Sequence, residues 1–203
     1  MIKNRWIRSC MDKEQRTSMK TVFEQFETSS ILLRKIELAD APVLFAYWSD
    51  QEVVRHMNIK PFTKLEQVEE MINLLNNLAQ QEQAFRWAIV RKRDDLVLGT
   101  CGFNNWDKEN CRAEIGYELG QQFWRQGTMA ETLTALLDFG FGKMELNRIQ
   151  ALVEPANRSS LGLLEKLGFK EEGVLRKYER VKDQFVDLTM VALLKSESIA
   201  YKY

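Results

Sequence analysis

One histidine and three cysteines are all the His and Cys that 203 residues offer a metal. His56 stands alone, and Cys10, Cys101 and Cys111 show no paired ligand spacing, so no metal site is expected. No apolar run approaches the ~18 residues that a membrane-spanning helix needs. Lys3, Arg5 and Arg8 lie near the start, but the apolar stretch of a secretory signal does not follow. A cytoplasmic protein is the expectation. Net charge is missing too: 29 Lys and Arg balance 29 Asp and Glu. No overall field steers the chain toward nucleic acid, so neither a nucleic acid nor a membrane is an expected partner.

What is present suffices for one domain, since 45% of the residues are hydrophobic and this length can bury a sizeable core. Residues 1–28 have weak periodicity and read as an N-terminal extension, with the domain over 29–203. Met19 is a candidate translation start; an intact mass that includes Met1 would exclude it. Ile31 to Ile36 reads as the first strand. Asp40 offers an N-cap to a short helix through Trp48, with Pro42 in its first turn. Thr63-Lys64-Leu65-Glu66 has the Thr-x-x-Glu pattern of a capping box. Val68, Met71, Ile72, Leu75, Leu78 and Ala79 then recur at helical spacing.

Three strands follow, Phe85 to Arg91, Val97 to Phe103 and Cys111 to Leu119, the first two joined by a turn at Arg93-Asp94-Asp95. In the third, Ile115, Tyr117 and Leu119 share one face, and Glu114, Gly116 and Glu118 the other. A helix spans Thr128 to Gly142, a strand Arg148 to Val153, and a helix Ser159 to Leu167 closed by Gly168. The last two strands, Gly173 to Val181 and Phe185 to Leu194, turn at Lys182-Asp183-Gln184. Cys101 and Cys111 fall in apolar strand contexts and are expected to be buried and structural rather than nucleophilic.

The strands Cys111–Leu119 and Arg148–Val153, joined by one helix, make a βαβ unit and so a parallel pair with a right-handed crossover. Ligands bind outside the carboxyl ends of such strands. Those ends feed two adjacent loops, Gln121 to Gly127 and Glu154 to Asn157, and each enters a helix N-terminus with unpaired N–H groups and a dipole that favours anions. Gly127 permits a tight turn, and Arg125 adds a charge. No Gly-Lys-Ser/Thr phosphate loop and no acidic Mg²⁺ cluster is present. A diphosphate held without metal points to a carrier cofactor. An ordinary glycine at a strand–helix turn is the plainer alternative, as is a simple N-cap for Asn157 or Ser159 with Ser160 in the first turn.

Three segments, Ala113 to Leu119, Trp124 to Thr132 and Asn157 to Gly173, resemble the GNAT superfamily, and most closely its ribosomal-protein alanine N-acetyltransferase branch. The last of them, carrying Asn157-Arg158-Ser159-Ser160 and Glu165-Lys166-Leu167-Gly168-Phe169, is the most specific. Trp124 and Met129 depart from the usual Gln/Arg-x-x-Gly-x-Gly/Ala loop.

The resemblance implies a mixed α+β fold. Its central, mostly antiparallel sheet of seven strands has one parallel βαβ pair, splayed at the cofactor site, and helices on both faces. It implies acetyl-CoA as co-substrate without metal. The cofactor would be held by Ile115, Tyr117 and Leu119 on the strand, by Trp124, Arg125, Gln126, Gly127, Thr128, Met129 and Ala130 in the loop and helix start, and by Asn157 and Ser160. Ser160 would be the acid that donates to the CoA sulfur. Glu179 and Glu114 are rival bases, although a solvated strand face and a structural ion pair are their plainer roles. The backbone N–H of Tyr117 or a neighbour would polarise the acetyl carbonyl.

His56 and Met57 fall where the acceptor site would form, with no catalytic role assigned to His56. The expected reaction is direct acetyl transfer to a primary amine, foremost a protein N-terminus such as that of a ribosomal protein. A small amine (polyamine, amino sugar or antibiotic) and a CoA-binding sensor without turnover are the alternatives. The aromatic N-terminal half serves either a homodimer contact or the core.

Overall fold

The computed structural model describes residues 24–198. In chain order they form β1 (Phe26–Glu27), β2 (Ile31–Lys35), α1 (Ala41–Trp48), α2 (Leu65–Gln80), β3 (Phe85–Arg91), β4 (Leu96–Asp107), β5 (Arg112–Leu119), α3 (Thr128–Gly142), β6 (Arg148–Val153), α4 (Arg158–Lys166), β7 (Lys170–Val181) and β8 (Gln184–Leu194). Cys10 and the candidate start at Met19 lie outside the described residues. The strands join one sheet in the order β1-β2-β3-β4-β5-β6-β8-β7. Its β5–β6 pair is parallel, as the βαβ reading requires. The sheet has eight strands instead of seven, because Phe26 and Glu27 add a short strand along β2. Phe26 stacks on Phe139 at 4.7 Å and meets Trp87 edge-on at 5.6 Å. Each such ring pair contributes about 1 kcal/mol beyond burial. A two-residue strand has no alternation to read, so packing reveals it and sequence does not.

Register decides which residues face which helix, since directly opposed residues in antiparallel strands point to the same side. Trp87 opposes Cys101, Cys101 opposes Tyr117, and Phe103 opposes Ile115. These residues share the face covered by α3, whose Phe139 ring lies 5.5 Å from that of Trp87. Arg86, Thr100, Glu114, Gly116 and Glu118 occupy the other face, under α1, where Trp48 Nε1 donates to Glu118 at 3.2 Å. Strand β5 therefore carries two chemically different faces through one site.

Local signals hold with three corrections. Asp40 stands at the N-cap position of α1 but makes no side-chain capping bond to it; its carboxylate accepts both Arg34 Nη groups at 2.7 and 2.8 Å and the Glu37 N–H at 2.9 Å. At α2 the Thr63–Glu66 box does not form. Gln67 Oε1 instead accepts the backbone N–H of Thr63 at 2.9 Å and of Lys64 at 3.0 Å, which starts the helix at Leu65. Cys111 is the third correction: it is half-buried in the turn before β5, with φ +50°. Its carbonyl accepts the N–H of Asn147 and Arg148, which ties the start of β5 to that of β6. Cys101 is fully buried, and burial pushes its thiol pKa up, so it stays protonated and unreactive.

Candidate active site

Strands β5 and β6 pair only at Arg112–Arg148, Ala113–Ile149 and Glu114–Gln150. Beyond Glu114, β5 continues with β4, up to Leu119 opposite Gly99, while β6 continues with β8, up to Val153 opposite Thr189. The two strands part there, and the sheet opens into a cleft between Ile115–Leu119 and Ala151–Val153. Backbone amides along such an opening suit an extended ligand that carries its own amides.

At the open end, α3 begins after Gly127, and no side chain caps it. Its first N–H groups have no partner one helical turn back. Arg125 and Gly127 both take left-handed backbone conformations, with φ +60° and +81°. A Cβ on Gly127 would meet nothing within 4 Å, so the space before the helix start is clear. Trp124 Nε1 donates to Leu119 O at 2.9 Å, folding the loop back on β5, and Gln126 Nε2 donates to Gln122 O at 2.7 Å. Behind the start, Glu131 accepts the Ser30 hydroxyl at 2.8 Å, anchoring the first turn to β2. Thr128 and Ala130 are half-buried, while Met129, like Ile115 and Leu119, is buried in the core. A diphosphate fits this uncapped, cation-bearing start.

The start of α4 is different. Asn157 Oδ1 accepts the Ser160 N–H at 3.2 Å and the Ser159 hydroxyl at 3.0 Å, so this helix caps itself. Asn157 is thus the N-cap that the plainer sequence reading names, and of the two helices fed by these loops α3 alone starts without a side-chain cap. Capping fixes Ser160, whose Oγ lies 2.8 Å from the Tyr117 hydroxyl. Tyr117 is the cleft-side residue of β5, and burial, opposed by the Ser160 bond, raises its phenol pKa to about 12.

The opposite face of β5 brings the two candidate bases together. Glu114 lies at the last paired position before the opening. Burial raises its pKa above 4.5; a hydrogen bond from Asn105 opposes the rise, and the charge of Glu179 adds to it. Asn105 reaches Glu114 because β4 bulges there, with φ +49°. Glu179, on β7, accepts Asn58 Nδ2 at 2.7 Å. Deeper on the same face, Glu118 accepts Arg86 Nη2 and Thr100 Oγ1, each at 2.5 Å, and Arg86 Nε donates to Thr100 Oγ1 at 2.8 Å. His56 Nδ1 lies 2.7 Å from Glu154 Oε2, so the loop after α1 is tied to the loop before α4. Asn58, Asn105 and Glu118 carry no functional signal in the sequence: the first two lie in a loop and a bulge, and Glu118 gains meaning only from its three donors.

A family model for the acetyltransferase (GNAT) domain matches residues 30–170. The chain belongs to the GNAT acetyltransferase family. It is 49% identical over 174 residues, 86% of this chain and 98% of the relative, to "Uncharacterized N-acetyltransferase p20" of Bacillus licheniformis. It is 29% identical over 123 residues, 60% of this chain and 63% of the relative, to the [ribosomal protein uS5]-alanine N-acetyltransferase of Escherichia coli. The fold also matches the ribosomal L7/L12 alpha-N-protein acetyltransferase RimL in complex with coenzyme A, with TM-score 0.76 at 22% identity, covering 84% of this chain and 98% of that one. Among the described residues of this chain, no helix is long and apolar enough to cross a membrane.

Proposed function

We propose that this acetyltransferase moves an acetyl group from acetyl-CoA to the N-terminal amine of a protein, by direct transfer with both substrates bound. The observation that carries the proposal is the pair of groups on β5: the Tyr117–Ser160 hydroxyls toward the cleft, and Glu114 beside Glu179 on the other face. The similarity to a ribosomal-protein alanine acetyltransferase supports a protein acceptor over a small amine.

The residues present suit the donor. The uncapped start of α3, with Arg125 and Gly127, would take the diphosphate, and the open edges of β5 and β6 the pantetheine amides. Acetyl-CoA supplies an acyl group already activated as a thioester. An α-amine has a pKa of ~8, so near neutrality it needs only modest help to lose its proton. Glu114 is the better placed acceptor of that proton, because burial brings its basicity closer to that of the amine. Glu179, held by Asn58, draws the ammonium in and raises Glu114.

As nitrogen bonds the carbonyl carbon and the carbon–sulfur bond breaks, Ser160 donates a hydrogen bond to the departing sulfur, and Tyr117 donates to Ser160. Both hydroxyls are weaker acids than a thiol of pKa ~8.5, so they stabilise a thiolate and do not surrender their protons. Solvent reprotonates it.

A panel assay tests the proposal. Acetyl-CoA is mixed with Ala- or Ser-starting peptides, polyamines and aminoglycosides, and free thiol is followed. Turnover confined to peptides is expected. Turnover confined to small amines would replace the acceptor class, and CoA binding without any turnover would make the protein a sensor.

A further inference from the structure

Glu179 stands beside a second feature of opposite charge. Between the loop after α1 and the β7–β8 hairpin lies a cleft of about 300 Å³, lined by Asn58, Ile59, Lys60, Arg180, Lys182 and Asp183. Three of the six lining residues are cations and one is a carboxylate. Lys60 Nζ lies 3.8 Å from Asp183 Oδ2, and Arg180 Nη2 lies 3.3 Å from Asp183 Oδ1, so both share a single anion. Lys182 Nζ donates to the carbonyls of Val54 at 3.1 Å and Arg55 at 3.4 Å. These bonds hold the ammonium in place yet leave its charge uncompensated and one N–H unspent. Lys182 and Asp183, at φ +48° and +71°, form the two-residue turn that fixes the hairpin tip.

Asn58 links this cleft to the candidate active site: it lines the cleft while donating to Glu179 at 2.7 Å. Glu179 and the cationic cleft are therefore one side chain apart. An acceptor that matches both carries a positive amine and, close to it, a negative group.

We infer that the cleft reads an acidic side chain near the start of the acceptor, so that the preferred substrate is a peptide N-terminus with Asp or Glu at its second or third residue. The spacing sets that position. An extended chain advances about 3.4 Å per residue, and the cleft begins one asparagine side chain from the carboxylate that meets the amine. A peptide suits the surface beyond, because the same hairpin exposes Tyr178 and Phe185, at 58% and 64%, beside Arg176 and Lys177. Exposed aromatic rings and cations together suit an acidic chain. The inference rests on the protein-acceptor reading and deepens it.

The test uses the full chain, acetyl-CoA and matched peptides that differ only by Glu or Gln at the second or third position, with thiol release giving kcat/KM. The Glu peptide is expected to be favoured about two- to fivefold, the scale of one exposed ion pair. The preference should shrink as salt rises to ~0.5 M. Lys60→Gln with Arg180→Gln should bring the ratio close to one, and Asp183→Asn should widen it; all three side chains are largely exposed, so the variants should fold, which melting curves check. Equal use of Glu and Gln peptides by the unmodified protein would overturn the cleft's role and leave N-terminal acetylation standing. Turnover on no peptide at all would overturn both.

Discussion

Replacing Tyr117 by Phe removes one hydroxyl and keeps the ring that packs on the cleft side of β5. If that hydroxyl acts through Ser160, its loss weakens a donor aimed at the leaving sulfur. A neutral hydrogen bond of 2.8 Å contributes about 1 kcal/mol net, and about twice that once charge develops on the acceptor. A barrier raised by about 1–2 kcal/mol lowers kcat by roughly 5- to 30-fold. Ser160→Ala should cost at least as much. Because Tyr117 reaches the sulfur only through Ser160, Tyr117→Phe/Ser160→Ala should be no slower than Ser160→Ala alone, a strongly non-additive cycle. The assay is thiol release at saturating donor, with calorimetry on CoA to show that affinity holds. Since the phenol titrates near 12, it is a neutral donor throughout the working pH range, and its loss should leave the pH profile unchanged. Multiplicative single-variant effects, or full turnover in Tyr117→Phe, would refute the relay.

The two carboxylates make a pH prediction. With Glu114 as base, kcat/KM rises along an acid limb above pH 4.5, because burial raises the Glu114 pKa. Glu114→Gln should abolish the limb, and Glu179→Gln should move it to lower pH, since the Glu179 charge is part of what raises it. The same shift affects stability with a definite sign. A raised folded pKa favours the protonated form, so its contribution is present below pH 4.5 and is lost as pH rises through the folded value. Glu114→Gln should therefore gain stability over the parent at pH 7, and urea midpoints should converge below pH 4.5. Elsewhere, Glu118→Ala strands the Arg86 charge, whose side chain is only 13% exposed. Losing one partner of such a pair costs about 3–5 kcal/mol, readable as a lower urea midpoint.

Much of the fold was legible because periodicity is local. The α2 face at Val68, Met71 and Ile72, the alternation along β5 and the βαβ unit each follow from spacing within one segment. The strand Phe26–Glu27 was not, since its evidence is the stacking of Phe26 on a ring more than a hundred residues away. The helix-start choice at Gln67 over Glu66 was also closed to the sequence, where two neighbouring side chains compete for the same N–H groups.

For the site, residue types and order alone located the glycine turn before α3 and the Asn157–Ser160 helix start, because backbone conformation and capping depend on near neighbours; the candidate carboxylates came from the family resemblance. Tertiary structure alone decided which of them meet. Tyr117 finds Ser160, Glu114 finds Glu179 and Asn105, and Asn58 joins that pair to a cationic cleft, because sheet register and the parting of β5 from β6 bring distant segments to hydrogen-bonding range. Distances of that kind are set by the packing of the whole sheet, and no stretch of chain encodes them by itself.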